Sequence, residues 1–123
     1  MALTTTPSLT YITTRMVKET DVDETPNGNI TGTNATTYGW DLNNTHSQKA
    51  FFKVYDVGTG VTYGTTVPEI VIPVPNGTRQ TITIVEGITS TNAVSIAASQ
   101  AGGTGAGSAL SGGALVAIGI FID

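Results

Sequence analysis

A two-residue alternation of apolar and polar side chains constrains this chain more than any other feature. The alternation occurs in short segments that turn-forming residues interrupt about every 8–12 residues. No long segment shows the i, i+3, i+4, i+7 spacing of an amphipathic helix. The pattern predicts an all-β domain built as a sandwich or a barrel, with strands in the segments 38–42, 50–56, 69–74, 79–85, 93–97 and 114–122.

The composition agrees with this fold class and excludes several functions. Charged residues make up 11% of the 123 residues, against about 25% in typical domains, and threonine, serine, asparagine and glycine are abundant instead. The net charge is −4, and five lysines and arginines are too few for the basic stripe that phosphate binding needs. We therefore expect no direct nucleic-acid partner. Because cysteine is absent, disulfides, thiolate metal sites and cysteine nucleophiles are excluded.

The character of the sequence changes near residue 37. Residues 1–37 contain an acidic run and two turn-rich stretches, with only a thin strand pattern over residues 9–17. We expect residues 1–37 to form an extended N-terminal arm or a peripheral hairpin. Residues 38–123 are expected to form the β-sandwich body, and a chain of this length has room for a single core.

Local signals predict the positions of three strands. Prolines flank and interrupt the segment 69–74, which would cost a central strand its ladder donors, so this strand is expected at a sheet edge. The Asn76-Gly77 pair is typical of a tight type I′ turn and predicts a hairpin with residues 79–85. Residues 114–122 are apolar on both faces, which predicts a central, buried strand.

The strand around Phe52 is predicted to have one dry and one wet face. Phe52 lies on one face, and Phe51, Lys53 and Tyr55 lie on the other. Because that second face includes a lysine, it is expected to contact water. The bulky rings of Phe52 and Trp40 are expected in the core.

The reactive side chains do not combine into a catalytic or metal-binding motif. His46, the one histidine, lies in a polar stretch and is expected to be a solvated turn residue. The acidic run 21–24 does not fit an EF-hand, because Pro26 stands where that loop needs glycine. The glycine-rich residues 100–113 lack the lysine and the helix of a phosphate-binding loop and are expected to form a flexible tether. We therefore expect no catalytic residue, no metal site and no cofactor.

The sequence also shows no targeting or membrane signal. Residues 1–6 have neither the basic nor the apolar region of a signal peptide. The longest apolar run, residues 114–122, is shorter than the span of about 20 residues that a membrane helix needs. We expect no membrane association and no secretion by the general route.

Four motifs follow one another in the middle of the chain: Tyr38-Gly39-Trp40-Asp41-Leu42-Asn43-Asn44, Phe52-Lys53-Val54-Tyr55-Asp56, residues 65–75, and Glu86-Gly87-Ile88. As an ordered set over about residues 38–97, they resemble small structural proteins of tailed bacteriophages. The resemblance implies a β-sandwich of jelly-roll type in a virion, as in head decoration (cement) proteins and in tail or fibre components.

The resemblance implies a function in capsid assembly. We expect a decoration protein, made in the cytoplasm of the bacterial host, that binds the outer capsid surface and staples neighbouring major capsid proteins, with a homotrimer as its assembly. Partner contacts are expected at Tyr11, Ile12, Met16, Val17, Phe51 and Tyr55.

Three other functions remain open at this point. The first is a tail, baseplate or fibre component with glycan-facing loops near Trp40, Tyr63 or the asparagine-rich turns. The second is a bacterial adhesion or lectin-like domain. A glycosidase-like enzyme is the least favoured, because no feature of the sequence selects two of its carboxylates as a catalytic pair.

Overall fold

The computed structural model describes residues 15–122, which form seven β-strands and no helix. The expected all-β class is confirmed for this part of the chain. The strands are β1 (Arg15–Glu19), β2 (Ala35–Asn44), β3 (Ala50–Asp56), β4 (Ile70–Val74), β5 (Thr78–Ser90), β6 (Val94–Ser99) and β7 (Leu115–Ile122).

The strands form two antiparallel sheets that share one core. Sheet A has the order β1-β7-β2-β5, and sheet B has the order β4-β3-β6. One cluster of buried apolar side chains draws on both sheets. The arrangement is therefore sandwich-like, with each sheet turning one face to the core and one face outward.

Aromatic rings join the two sheets at the centre of the core. The Trp40 ring of sheet A packs edge-on against Phe52 of sheet B, with ring centroids 4.8 Å apart. It also packs edge-on against Phe121 of its own sheet, at 5.5 Å. Trp40 and Phe52 are both buried, which confirms their predicted place in the core.

Two glycines of sheet A are required by close contacts. Gly119 on β7 lies opposite Trp40 and faces the core, where a Cβ atom would approach Trp40 Cη2 to 2.8 Å. Gly39 lies at the irregularity in β2, and a Cβ atom there would lie 2.6 Å from the carbonyl oxygen of Ile82. Neither position has room for a larger residue unless its neighbours move.

Residues 15–37 contact the body along two strands. β1 pairs with β7, and the buried Val22 donates its backbone N–H to the carbonyl of Leu115 at 3.0 Å. Further on, Asn27 forms a bridge with Ile96 of β6. The division of the chain at residue 37 into an arm and a body stays a prediction, and the first 14 residues of the expected arm lie outside the described part.

The edge and central positions of two strands match the sequence prediction. Among the described strands β4 pairs with β3 alone, and it lies at an edge of sheet B, as its prolines predict. β7 lies between β1 and β2 as a central strand of sheet A, although its burial alternates and its outer face is only half-buried.

The predicted hairpin across Asn76-Gly77 is wrong. The tight turn forms, since Thr78 donates its N–H to the carbonyl of Pro75 and Gly77 has a φ of 64°. However, β4 belongs to sheet B, and β5 pairs with β2 of sheet A. The turn carries the chain from one sheet to the other, because each strand finds its partner elsewhere in the sequence.

The contact at Gly119 predicts that Gly119→Ala lowers the free energy of unfolding by about 1–3 kcal/mol, because the added methyl group overpacks the aromatic core. Urea unfolding followed by tryptophan fluorescence measures this change. Gly105→Ala is the matched control, since its Cβ would meet no atom nearer than 3.8 Å. Equal stability of the two variants would show that the core has room for the methyl group.

Candidate functional site

The predicted contact residues occupy different environments. Tyr11 and Ile12 lie outside the described residues. Met16 is 63% exposed on β1, whereas the neighbouring Val17 packs against the core. Tyr55 is fully buried. A side chain without exposed surface contacts a partner only if the fold opens around it.

The outer face of sheet A carries a row of aliphatic side chains. Phe121 and Gly119 of β7 face the core, so the alternate residues of this strand face outward. These are Val116, Ile118, Ile120 and Ile122, all half-buried. Register places Met16 of β1 beside Ile120 on the same face. This apolar row was missed in the sequence, because a strand that is apolar on both faces predicts burial on both.

A shallow apolar groove of about 350 Å³ lies on this face next to β5. It opens over Gly39, where β2 has no side chain, and Tyr38, Ile120 and Thr83 line it. Val85 stands at its rim and is 86% exposed. The groove and the β7 row together form a continuous, mainly uncharged surface.

A second groove of about 260 Å³ lies on the same face toward Lys18 and is polar. Here Arg79 donates through its guanidinium to both carboxylate oxygens of Asp41, with an Nε–Oδ1 distance of 2.9 Å. This hydrogen bond and the charge of Arg79 lower the pKa of Asp41. Because Arg79 balances the negative charge of Asp41, the ammonium of Lys18 gives this end of the face a positive charge.

The outer face of sheet B is covered, and the prediction that it is wet is wrong. Phe52 and Val54 face the core, so Phe51, Lys53 and Tyr55 project outward. Lys53 and Tyr55 are nevertheless both fully buried. The physical reason is that two connecting segments, residues 57–69 and residues 100–108, fold over this face.

Lys53 lies beneath these segments with few polar partners. Its ammonium donates a hydrogen bond to the carbonyl of Gly105 at 2.6 Å and lies 4.9 Å from the centre of the Tyr63 ring. Within residues 15–122 it forms no ion pair with a carboxylate. Burial lowers the pKa of Lys53, because the charged form loses its hydration.

Two tyrosines complete this cluster. The hydroxyl of Tyr63 donates to Ser99 Oγ at 2.6 Å, which closes residues 57–69 over β6. The hydroxyl of Tyr55 is buried and has no hydrogen-bond partner within residues 15–122. Burial, together with the nearby Tyr63, raises the pKa of Tyr55 to about 12. We name Lys53, Tyr55, Tyr63 and Ser99 the sheet B cluster.

His46 is buried, so its expected role as a solvated turn residue is wrong. Its Nδ1 atom lies 2.9 Å from the carbonyl oxygen of Ser111, and its backbone N–H donates to Asn44 Oδ1 at 3.0 Å. These contacts tie the turn after β2 to the segment that leads into β7. No local pattern predicts this burial, because the covering segment lies 65 residues further along the chain.

Residues 15–122 contain no group of three or more histidine, cysteine, aspartate or glutamate side chains that could hold a metal ion. No helix in this part of the chain is long and apolar enough to cross a membrane.

Comparisons with known proteins found no matching family model, curated protein or solved structure.

The isolated ammonium of Lys53 predicts that Lys53→Met leaves the protein as stable at pH 7 or up to about 3 kcal/mol more stable, because methionine fills similar volume without a charge to desolvate. The advantage of the variant should shrink as the pH rises. The lowered pKa means that the unfolded chain holds more protons than the folded chain between that pKa and the ordinary lysine value. Stability of the wild type therefore rises with pH through this window.

Urea unfolding of both proteins at intervals from pH 7 to about 10 measures this difference. Lys53→Ala is the packing control and should destabilise the fold, because it leaves a cavity. A Lys53→Met variant much less stable than wild type at pH 7 would show instead that the ammonium stabilises the fold.

Proposed function

We propose that this chain is a virion structural protein that binds the outer surface of a tailed-phage capsid and staples neighbouring major capsid proteins. The observation that carries the proposal is the open outer face of sheet A. Both sheets have an outer face, but within residues 15–122 connecting segments cover only that of sheet B. On sheet A the aliphatic row of β7, Met16 and Val85 remain accessible.

The composition of this face suits a protein partner. Apolar surface with a few polar groups at its margin is typical of the core and rim of a protein–protein interface. The polar groove with Lys18 and the Arg79–Asp41 pair lies at one end of the face and supplies such a margin. Low overall charge limits repulsion between copies that stand close together on a particle.

The order of the strands supports a jelly-roll arrangement as part of the proposal. From β4 onward each successive strand changes sheet, and β2 and β3 also lie in different sheets. Residues 23–30 run beside β6, with hydrogen bonds from Ala98 N–H to the Asp23 carbonyl and from Ile30 N–H to the Val94 carbonyl. This segment takes the position of an eighth strand, and eight strands in two sheets are typical of jelly rolls.

The proposed arm adds a second contact, which stapling requires. Arg15, the first residue of β1, lies opposite Phe121 near the end of β7. The residues before it include Tyr11 and Ile12, the predicted anchors. A homotrimer and a location on the capsid surface belong to the same proposal.

A phage tail, baseplate or fibre component is the alternative. The interior position of Trp40 removes one of the aromatic residues that this function would present to a glycan. The number of copies in purified virions, measured on a stained gel, separates the two. Hundreds of copies per particle support a decoration protein, and a few copies support the tail component.

For the sheet A face we expect Met16→Glu and Val85→Glu each to weaken binding to capsid shells by about tenfold or more. Each change replaces buried apolar contact by a charge that must be desolvated. Both side chains are exposed in the single chain, so folding should be unaffected. Cosedimentation with shells that lack the chain measures the affinity.

Val67→Glu is the matched control for these two variants. Val67 is 74% exposed but belongs to the segment that covers sheet B. It should bind as the wild type does. The proposed face is wrong if the three variants bind equally well, or if Val67→Glu alone weakens binding.

Deletion of residues 1–14 tests the arm separately from the face. The deletion spares β1 and its pairing with β7, and the unfolding midpoint of the truncated chain is measured beside its binding. We expect the truncated chain to bind shells more weakly and to dissociate faster than the full chain, because one of two linked contacts is lost. Unchanged dissociation would remove the arm from the proposal.

A further inference from the structure

The sheet B cluster contains a charge that the fold does not neutralise. Lys53 is fully buried, and its ammonium has three donor hydrogens. Gly105 provides the hydrogen-bond acceptor, and the Tyr63 ring provides a cation–π contact. A buried ammonium without a carboxylate costs more to desolvate than one neutral hydrogen bond returns. An apolar residue would serve the closed fold at least as well.

Gly105, which accepts the hydrogen bond from Lys53, belongs to a segment that is closed at its base and held on the sheet by few hydrogen bonds. We name residues 100–108 the lid. At its base the Gln100 N–H donates to the Ser108 carbonyl at 3.0 Å. Over the sheet, the hydrogen bonds that hold the lid are the one from Lys53 to Gly105 and one from the Ala101 N–H to Ser99 Oγ at 3.2 Å. Such a segment can swing away without breaking a strand pairing.

A second buried polar group beneath the covering segments, the Tyr55 hydroxyl, has no hydrogen-bond partner among the described residues. Tyr55 lies two residues along β3 from Lys53, on the same face. Alternate residues of a strand are about 7 Å apart. This is also the spacing of alternate side chains in an extended peptide. Lys53 and Tyr55 therefore offer two hydrogen-bond donors whose spacing matches that of alternate side chains in a partner strand.

We propose that the lid opens, that the Tyr63 ring turns away from Lys53, and that the exposed Lys53 and Tyr55 then bind an extended, acidic segment of a protein partner. A carboxylate of the partner replaces the Gly105 carbonyl at Lys53, and a second acidic side chain two residues away accepts a hydrogen bond from Tyr55. The carboxylate gives the buried ammonium the ion pair that it lacks in the closed fold. The proposal does not rest on the capsid function, since it concerns the opposite sheet and a different contact.

The test uses the full chain and a pair of synthetic peptides. The acidic probe is acetyl-Ala-Glu-Ala-Glu-Ala-amide, and its control has glutamine at both glutamate positions. In a ¹H–¹⁵N NMR titration, we expect the acidic peptide to shift the amides of β3 and the lid in a saturable way. The glutamine peptide should bind about tenfold more weakly or more, because it cannot form the charge-assisted bond.

Two substitutions test the two donors. Lys53→Met should abolish the difference between the acidic and the glutamine peptide. Tyr55→Phe removes a hydroxyl that has no partner in the closed fold, so its unfolding midpoint should stay equal or rise while its affinity for the acidic peptide falls severalfold. A purely structural role for Tyr55 would not change peptide affinity.

Opening of the lid is tested by locking it. A Cβ atom at Gly64 would lie 3.0 Å from Ala106 Cβ, and the chain has no cysteine of its own. The double variant Gly64→Cys, Ala106→Cys, when oxidised, should lose peptide binding, and reduction of the same sample should restore it. The reduced form controls for any strain at Gly64, where φ is +88°.

Three results would overturn the proposal. The first is an equal response to the two peptides, and the second is no response in the wild type. The third is binding by the oxidised double variant as strong as by its reduced form, which would show that the lid does not have to open.

Discussion

The contact of Trp40 with Phe52 and Phe121 organises this molecule. Trp40 is the side chain through which the two sheets meet at their centre, and Gly119 opposite it leaves the space that the ring fills. Because strand side chains alternate with period two, placing Trp40 and Gly119 inward determines which residues face outward on β7 and on β2 after its irregularity at Gly39. The aliphatic outer row of sheet A is thus a consequence of how the core is packed.

The two outer faces differ because of the connecting segments. Residues 57–69 and the lid both fold over sheet B and bury Lys53 and Tyr55. No comparable segment within residues 15–122 covers the β7 row, and Met16 and Val85 stay exposed. A chain with so few charges keeps an apolar face in water at a cost to its solubility. A permanent partner on sheet A and a conditional one on sheet B are consistent with this asymmetry.

Local features of the structure could be predicted from the sequence, and long-range features could not. The period-two pattern predicted the strands around Trp40 and Phe52, and the prolines predicted the edge position of β4. The turn at Asn76-Gly77 follows from local chemistry, but which strand β5 pairs with depends on β2, far away in the sequence. Burial of Lys53 and His46 depends on irregular segments, and no periodic pattern shows where such segments lie. For the same reason, neither the sheet B cluster nor the open face of sheet A could be predicted from the sequence.

The glycines of the lid have structural roles that depend on their positions and that the glycine-rich composition alone does not show. The sequence suggests that they make a flexible tether, but three of them have specific structural reasons. Gly103 and Gly107 have φ values of 61° and 63°, which favour glycine. A Cβ atom at Gly102 would lie 3.2 Å from the Phe51 ring, so glycine lets the lid backbone approach the sheet closely. That approach brings the Gly105 carbonyl to Lys53. Small residues therefore shape a close-fitting cover that two hydrogen bonds hold on the sheet, one of them from a buried cation. A cover held by so few bonds is suited to release when a stronger acceptor reaches that cation.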